Sequence, residues 1–473
     1  MNCAVYSLAL IGLLALVVMM YNAVKKVMGR LEFGMIIAGI VAALGLALLS
    51  FNQPAGLFSS AYQGIFVQMY VTPLAVFFEI LVLTAGLMLL LASWDYTKKT
   101  KYYGLSLLSM MGVLLLPFSR DILTLYFAWE LMTVPTYALV LFSPSRKSVE
   151  GGVKYLIFGI ISSALVIFGM ILLIVTSGHT DLAGIGGYLS IPANRSDLTF
   201  FTGVLFVAGI GIKVGLVPFH MWIPDSYQGA PRLVAGYLSA VTKKAGIIAL
   251  IMMVFIVAIF SQSQYTSVFI FISIITMFWG NVAALRQRNV IRMLAYSSIA
   301  QMGYIMIGFS VNIRFGIEAA LYHSLTHAVM DALAFIAAFA IFHSTGAYML
   351  DDYRGLARRV PKTALALSLS LFGLAGIPPL AGFTSKLFLF KAGLDGGLYW
   401  LSLVGLGFSV FSLAYYLKPV MAMYGHEEGR EEKKAYIPPA TGLAMGIGVV
   451  LLFLLGLYPN FFMELIARAV ALL

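Results

Sequence analysis

The chain has 473 residues, is 61% hydrophobic and only 10% charged, and carries a net charge of +11. Apolar runs of about 20 residues, long enough to cross a ~30 Å hydrocarbon core, recur along its whole length; this excludes a soluble globular protein, and their continuous apolarity argues against an alternating β-barrel pattern. The basic surplus reads as membrane-side loops and not as a nucleic-acid surface, and the single cysteine, Cys3, excludes an internal disulfide or a cysteine-held iron–sulfur cluster.

The pattern predicts an all-α integral membrane protein, one polytopic domain over 1–473 with about fourteen transmembrane helices. Three N-terminal spans, near 4–22, 32–50 and 67–92, lie within 1–101. The run from Ala4 to Tyr21 is followed, not preceded, by Lys25, Lys26 and Arg30, the reverse of a cleaved signal peptide. It is expected to be a retained span with its N-terminus outside. Spans at 102–119 and 121–142 meet tightly at Ser119-Arg120-Asp121, and 153–176 follows. A polar loop with His179, Asp181, Arg195 and Asp197 leads to a seventh span, 199–224, and then to the eighth, 232–259. Spans at 264–285 and 290–310 are joined by Arg286-Gln-Arg-Asn289, and the eleventh is 314–343. The twelfth, 362–392, is followed by 398–420, 438–458 and an amphipathic tail from Asn460 expected at the interface.

Loops on the side of Lys25 hold 21 of the 30 lysines and arginines; the opposite side holds five, Arg120, Arg195, Arg314, Lys391 and Arg468. The positive-inside rule then places both termini outside and the basic loops in the cytoplasm. The remaining four, Lys213, Lys243, Lys244 and Lys386, lie inside spans.

The seventh and twelfth spans are expected to be discontinuous. Pro218, Pro224 and Pro231 interrupt the stretch from Gly209 to Ile247, and Pro378-Pro379 sits in Leu374-Ala-Gly-Ile-Pro-Pro-Leu-Ala-Gly382. Proline removes a backbone donor, and in lipid such a break survives only where protein or trapped water covers the freed carbonyls. Each break follows a tight hairpin, so spans 102–259 and 264–420 read as two repeats. Five spans per unit is odd, so the repeats are inverted, and paired interrupted helices point to a site near the midplane. The residues 421–473 hold a loop, the last span and the tail.

Ionisable residues at membrane depth are functional candidates by default. Glu130 lies nine residues into its span from Asp121, roughly 13 Å deep. Lys213 lies mid-span before the break and is its expected partner; the alternative is a packing ion pair, or a lysine snorkelling to the surface. Lys243 and Lys244 point about 100° apart, so one of them is expected to face the interior and the other to reach a polar cavity or an ion pair. His323, His327 and Asp331, at i, i+4 and i+8, stack on one face. That spacing can bind zinc, but no further ligand set accompanies it, so a proton relay is favoured. Lys386 is expected to end the path. Glu79 has no evident partner and is expected to face a neighbouring subunit. His220, beside Trp222 at the break, is expected to gate proton uptake or to cap broken-helix carbonyls. Arg354, Arg358, Arg359 and the Glu427–Lys434 run read as solvated or docking surfaces. Phosphate-loop, dinucleotide, haem and cluster signatures are missing.

Trp129-Glu130-Leu131 with Pro135, Lys213 before Pro218-Phe-His-Met-Trp222, Pro224-Asp225 and Tyr227-Gln-Gly-Ala-Pro231 resemble the antiporter-like membrane subunits of respiratory complex I. So do Arg292-Met-Leu-Ala-Tyr-Ser-Ser298, Gly303-Tyr304 and Gly376-Ile-Pro-Pro-Leu-Ala-Gly-Phe-Thr-Ser-Lys386, and the resemblance covers about residues 70–420. Within the family the Tyr-Gln-Gly-Ala-Pro string and the spacing to Lys243 are most similar to the N-type subunit. The resemblance implies two inverted half-channels joined by a polar axis, with Glu130 and Lys213 as the first-half pair, Lys243 the link and Lys386 the second-half terminus. It implies proton translocation in a prokaryotic cell membrane, driven by redox chemistry elsewhere. Flavin, iron–sulfur clusters and quinone would belong to partner subunits, with no cofactor or metal in this chain. The implied partners are other antiporter-like and small membrane subunits, a hydrophilic redox arm and lipid, with no nucleic acid. Two departures stand out. The family's His-Ala-x-x-Lys is His327-Ala-Val-Met-Asp331 here, and its Ala-Pro-x-Pro-Val is Ala230-Pro-Arg-Leu-Val234. A subunit of an Mrp-type or hydrogenase-linked sodium/proton antiporter is the alternative, and a scaffold whose charges only lock helices is a third.

Overall fold

The computed structural model describes residues 3–51, 56–59, 68–94, 97, 99–143, 145–194, 196–257, 262–311, 313–425 and 435–471. Arg195 and the whole Glu427–Lys434 run lie outside the described residues. The chain opens with α1 (Cys3–Val24) and α2 (Arg30–Ser50). A short antiparallel pair, β1 (Gly56–Ser59) and β2 (Gln68–Val71), follows, then α3 (Pro73–Ser93). The strand pair is a small departure from an all-helical expectation. The first repeat runs α4 (Thr100–Leu115), α5 (Ile122–Val140), α6 (Arg146–Ser177), α7 (Leu182–Ser190), α8 (Asp197–Val214), α9 (Trp222–Gly229), α10 (Arg232–Tyr237) and α11 (Lys243–Val257). The second runs α12 (Gln262–Leu285), α13 (Val290–Ser310), α14 (Arg314–Thr345), α15 (Leu356–Arg359), α16 (Pro361–Ala375), α17 (Ala381–Asp395) and α18 (Tyr399–Tyr424). Helices α19 (Pro439–Leu457) and α20 (Pro459–Val470) close the chain.

Among the described residues twelve helices are long and apolar enough to cross a membrane. The expected spans outside those twelve are α5, of 19 residues, and the broken α16–α17 pair, so length and apolarity alone do not establish the count of fourteen. The expected polar loop after α6 contains α7, capped by the Asp181 side chain accepting from Gly184 N at 2.6 Å. The amphipathic tail α20 turns Ile466, Ala469 and Val470 inward against α3 and α14.

The two repeats keep one register through three helices each. Asp121 caps α5 and Asn289 caps α13; both accept from the backbone N–H three residues on, at 2.7 and 3.0 Å. The pairs Ile122 N–Thr180 O and Leu182 N–Arg120 O recur as Val290 N–Tyr348 O and Leu350 N–Arg288 O. Helices α6 and α14 are both 32 residues long and end at left-handed glycines, Gly178 and Gly346. All of these pairs are separated by the 168 positions between 121 and 289. An odd number of crossings lies between them, so the matching ends face opposite sides of the bundle.

Both breaks have the same form. Helix α8 ends at Gly215 and α16 at Gly376, each with the positive φ that suits glycine (84° and 92°), and a cis proline bond follows in each, Val217-Pro218 and Pro378-Pro379.

Helix α14 is the hub, packed against α3, α10, α13, α16, α17 and α19. Its apolar face is built from small residues such as Ala319, Ala320, Ala328 and Ala337, which let neighbouring backbones approach.

One polar joint ties the repeats together. Asp225 on α9 accepts from Lys154 of α6 at 2.6 Å and from Arg292 of α13 at 2.5 Å, and Arg292 also donates to Gln228 at 3.0 Å. Burial pushes the Asp225 carboxyl up, but the bonds from Lys154 and Arg292 outweigh it and hold it below the usual carboxylate range. A group lowered in the folded state stabilises above its unfolded pKa, and that stability is lost as pH falls through the folded value. Asp225→Asn should therefore lower the melting temperature of the purified protein equally at pH 5 and pH 7, with the difference from wild type shrinking only below about pH 4. A difference already gone at pH 5 would show that Asp225 is not held low.

Candidate functional site

The candidate residues fall into two groups. In the first repeat, Glu130 on α5 is half-buried and accepts from Ser163 Oγ of α6 at 2.5 Å. Lys213, in the last turn of α8, is 3% exposed and donates to the Tyr155 hydroxyl at 2.5 Å. Tyr155 is shared with Thr136 Oγ1 at 2.7 Å and stacks on Trp222, with centroids 4.4 Å apart. Trp222 in turn donates to Ile212 O at 2.7 Å, satisfying a carbonyl freed at the break.

Glu130 and Lys213 form no direct ion pair. Tyr137 and Tyr155, with ring centroids 4.9 Å apart, lie between them, and Glu130 acts electrostatically on both tyrosines and on Lys213. The expected pair is therefore a relay-length arrangement. Tyr155 and Ser163 were missed because a tyrosine and a serine in an apolar span are chemically ordinary. Their eight-residue spacing on α6, which puts both on one face, was the available signal.

The second group sits at the junction of the repeats. Residues Leu238–Thr242 form a π-turn between α10 and α11, and the span is buried from Leu233 to Met253. Lys243 donates to Ser298 Oγ of α13 and lies 5.6 Å from the Tyr227 ring centroid. Lys244 lies 2.6 Å from His327 Nδ1 on α14. Both lysines are thus interior, correcting the expectation of one. The 100° divergence of adjacent residues directs them to different partner helices, because this helix has no lipid face.

With Lys244 donating to Nδ1, the proton of neutral His327 sits on Nε2. That nitrogen is 3.2 Å from Asp331 Oδ2, off the line of a hydrogen bond. The same Asp331 oxygen accepts from Ser239 Oγ, while Oδ1 has no hydrogen-bond partner among the described residues. His323 stacks over His327 with centroids 6.3 Å apart. It bridges Gln301 Oε1 and Ser385 Oγ, both at 3.0 Å. Gln301 reaches Leu374 O at 3.1 Å, where Lys386 also donates at 2.8 Å.

Lys386 further donates to Ala375 O at 3.1 Å and Ser409 Oγ at 3.0 Å, so its ammonium caps the end of α16. A cap and a proton carrier make different demands. Lys386→Arg keeps donors at the carbonyls but does not release a proton. Proton pumping of the assembled complex should fall at least about tenfold in Lys386→Arg; wild-type pumping would leave the residue as a cap alone.

Two residues stand apart from this string. Glu79 on α3 is fully buried, near Ser7 of α1, and neither carboxylate oxygen has a hydrogen-bond partner among the described residues. It does not face a neighbouring subunit, because α3 is enclosed by α2, α14, α19 and α20. His220 lies in the turn between α8 and α9, 5% exposed and with its ring centroid 6.1 Å from that of Trp279, and Nδ1 has no hydrogen-bond partner among the described residues. Neither joins the run from Lys243 to Lys386.

Residues 119–412 match the family described as NADH:quinone oxidoreductase/Mrp antiporter, TM. The chain is 35% identical to the NADH-quinone oxidoreductase subunit N of Moorella thermoacetica over 88% of its own length and 90% of that protein. It is also 35% identical to the F(420)H(2) dehydrogenase subunit N of Methanosarcina mazei, over 92% and 91%. Among solved structures it is similar to a chain of respiratory complex I from Thermus thermophilus (TM-score 0.81, 25% identity, 98% of this chain and 99% of that one). A chain of the archaeal membrane-bound sulfane sulfur reductase aligns at TM-score 0.90 with 25% identity, over 100% and 97%. A chain of the Mrp complex from Dietzia sp. shares the fold at TM-score 0.90 and 22% identity, over 100% and 97%.

Proposed function

The chain belongs to the NADH:quinone oxidoreductase/Mrp antiporter membrane family, and from that membership we propose that it translocates protons as the N-type subunit of a complex I-type membrane oxidoreductase. It is a multi-span membrane protein. The observation that carries the proton path is the run of buried titratable side chains from Lys243 through Asp331, His327, Lys244 and His323 to Lys386, with Lys213 and Glu130 in the first repeat. Buried charges are costly unless paired or used; these are held by hydroxyls and an imidazole, which can pass a proton on, and at Lys386 by backbone carbonyls, which only accept its hydrogen bonds.

Coupling follows from Coulomb's law. Two charges ~8 Å apart at an effective dielectric of ~20 interact by about 2 kcal/mol, a factor of about 30 in proton affinity. A change of protonation at one lysine is therefore felt at the next. The driving redox chemistry belongs to partner subunits: a hydrophilic arm holding flavin, iron–sulfur clusters and the quinone site, beside further antiporter-like subunits in lipid. Both termini face outward and the basic loops are cytoplasmic. A sodium antiporter of the Mrp type would need a dehydrated cation site of oxygen ligands; the buried Glu79 and Asp331 and the half-buried Glu130 stand on three different helices.

The test is purification of the native complex in mild detergent. We expect iron–sulfur subunits and sibling membrane subunits to co-purify, with electron transfer from NADH or reduced F420. A complex of membrane subunits alone would favour the antiporter, and a lone chain would overturn the proposal.

A further inference from the structure

The shared register of the repeats allows residue-by-residue comparison of α4–α6 with α12–α14. It holds in the packing as well as the caps: a side chain on Gly112 would meet the backbone of Met132, and one on Gly280 would meet that of Ala300. The offset is the same from Gly112 through to Leu182 and from Gly280 through to Leu350. In this register Glu130 corresponds to Ser298, and Ser163 corresponds to Asp331.

The first repeat thus has a carboxylate on its second helix, bonded to a hydroxyl on its third. The second repeat has a hydroxyl on the second helix and a carboxylate on the third. We propose that Asp331 is the proton-carrying carboxylate of the second repeat, the counterpart of Glu130, with acid and hydroxyl exchanged across one helix–helix contact.

The surroundings fit that assignment. Ser298 takes the hydrogen bond of Lys243, so the position corresponding to Glu130 is also held at a buried charge. Asp331 acts electrostatically on Lys243 and Lys244, and Tyr227 feels both Asp331 and Ser298, so the two positions face one polar space. Asp331 gives one oxygen to Ser239, and Oδ1 takes no hydrogen bond among the described residues. A residue that only locked helices would gain by satisfying both oxygens. The carboxylate also stands one turn beyond His327, with Oδ2 3.2 Å from Nε2 though off the line of a hydrogen bond, so a proton arriving through Lys244 and His327 has an acceptor within reach.

The inference rests on the proton-pumping reading, and transposition separates the two. Pumping is read in inverted membrane vesicles carrying the whole complex, as dye-reported acidification per electron delivered from NADH or reduced F420. Asp331→Asn should assemble and lose at least about tenfold in pumping, while Asp331→Glu retains it. The exchanged variant S298E/D331S, which rebuilds the first repeat's arrangement, should recover most of the loss. Wild-type pumping in Asp331→Asn overturns the assignment, as does an assembled S298E/D331S no better than Asp331→Asn. If S298E/D331S does not assemble, E130S/S163D, which gives the first repeat the second's arrangement, decides by the same criterion against Glu130→Gln. If Glu130→Gln itself pumps normally, the proton-path reading fails first.

Discussion

A complex carrying Lys213→Ala should assemble, oxidise its donor and pump at least about tenfold fewer protons per electron. The structure separates these effects. Lys213 has no carboxylate in direct contact, so its removal strands no counter-charge. Tyr155 keeps its bond to Thr136 at 2.7 Å and its stack on Trp222, so the break at Gly215 stays closed. What remains is a cavity where the aliphatic stem was, a cost of about 2 kcal/mol or more in a domain this well packed. The chemical loss is larger, because the Tyr155 hydroxyl loses its bonded amine and keeps only the neutral hydroxyl of Thr136. Native gels report assembly and vesicle acidification reports pumping. Normal pumping would remove Lys213 from the path; failed assembly would make it a packing residue.

Gly112→Val should break the protein rather than the pump. An added Cβ at Gly112 would stand 2.6 Å from Met132 Cα, and at Gly280 it would stand 2.8 Å from Ala300 Cα. These neighbours are backbone, so no rotamer change makes room. Helix α4 would have to leave α5, or α12 leave α13. Overpacking costs of about 3 kcal/mol or more are expected, together with loss of the Ser109–Met132 O bond, 2.9 Å long. We expect a clear drop in melting temperature and in assembled complex for Gly112→Val and Gly280→Val. Gly446→Ala, which would meet nothing within 4 Å, should leave both unchanged. Equal stability of all three variants would mean the paired contacts are looser than described.

Much of the site was legible because membrane depth makes charge conspicuous. Lys213, Lys243, Lys244, Lys386, His323, His327 and Asp331 stand out against apolar spans, and all are buried. The prolines and glycines of both breaks were equally plain, since each removes a donor or adopts a positive φ. The hydroxyls and amides holding those charges were not legible. Ser298, Ser239, Tyr155, Gln301 and Ser409 are unremarkable in composition and gain meaning only from which helix faces them.

Glu79 and the lysine pair mark the boundary of sequence reasoning. A carboxylate in an apolar helix reads as facing a neighbour because a helix taken alone has an outside. Enclosure by α2, α14, α19 and α20 leaves Glu79 inside, and enclosure of α10–α11 does the same for Lys243 and Lys244. The sequence by itself determined the membrane class, the order of spans, the two breaks and the identity of the buried ionisable groups, because hydrophobicity, proline chemistry and desolvation act on single residues. Only the tertiary structure decided the π-turn before Lys243, the tyrosines between Glu130 and Lys213, the cap made by Lys386 and the exchange of acid and hydroxyl between the repeats. Those depend on which helix faces which, a relation that no local pattern along the chain carries.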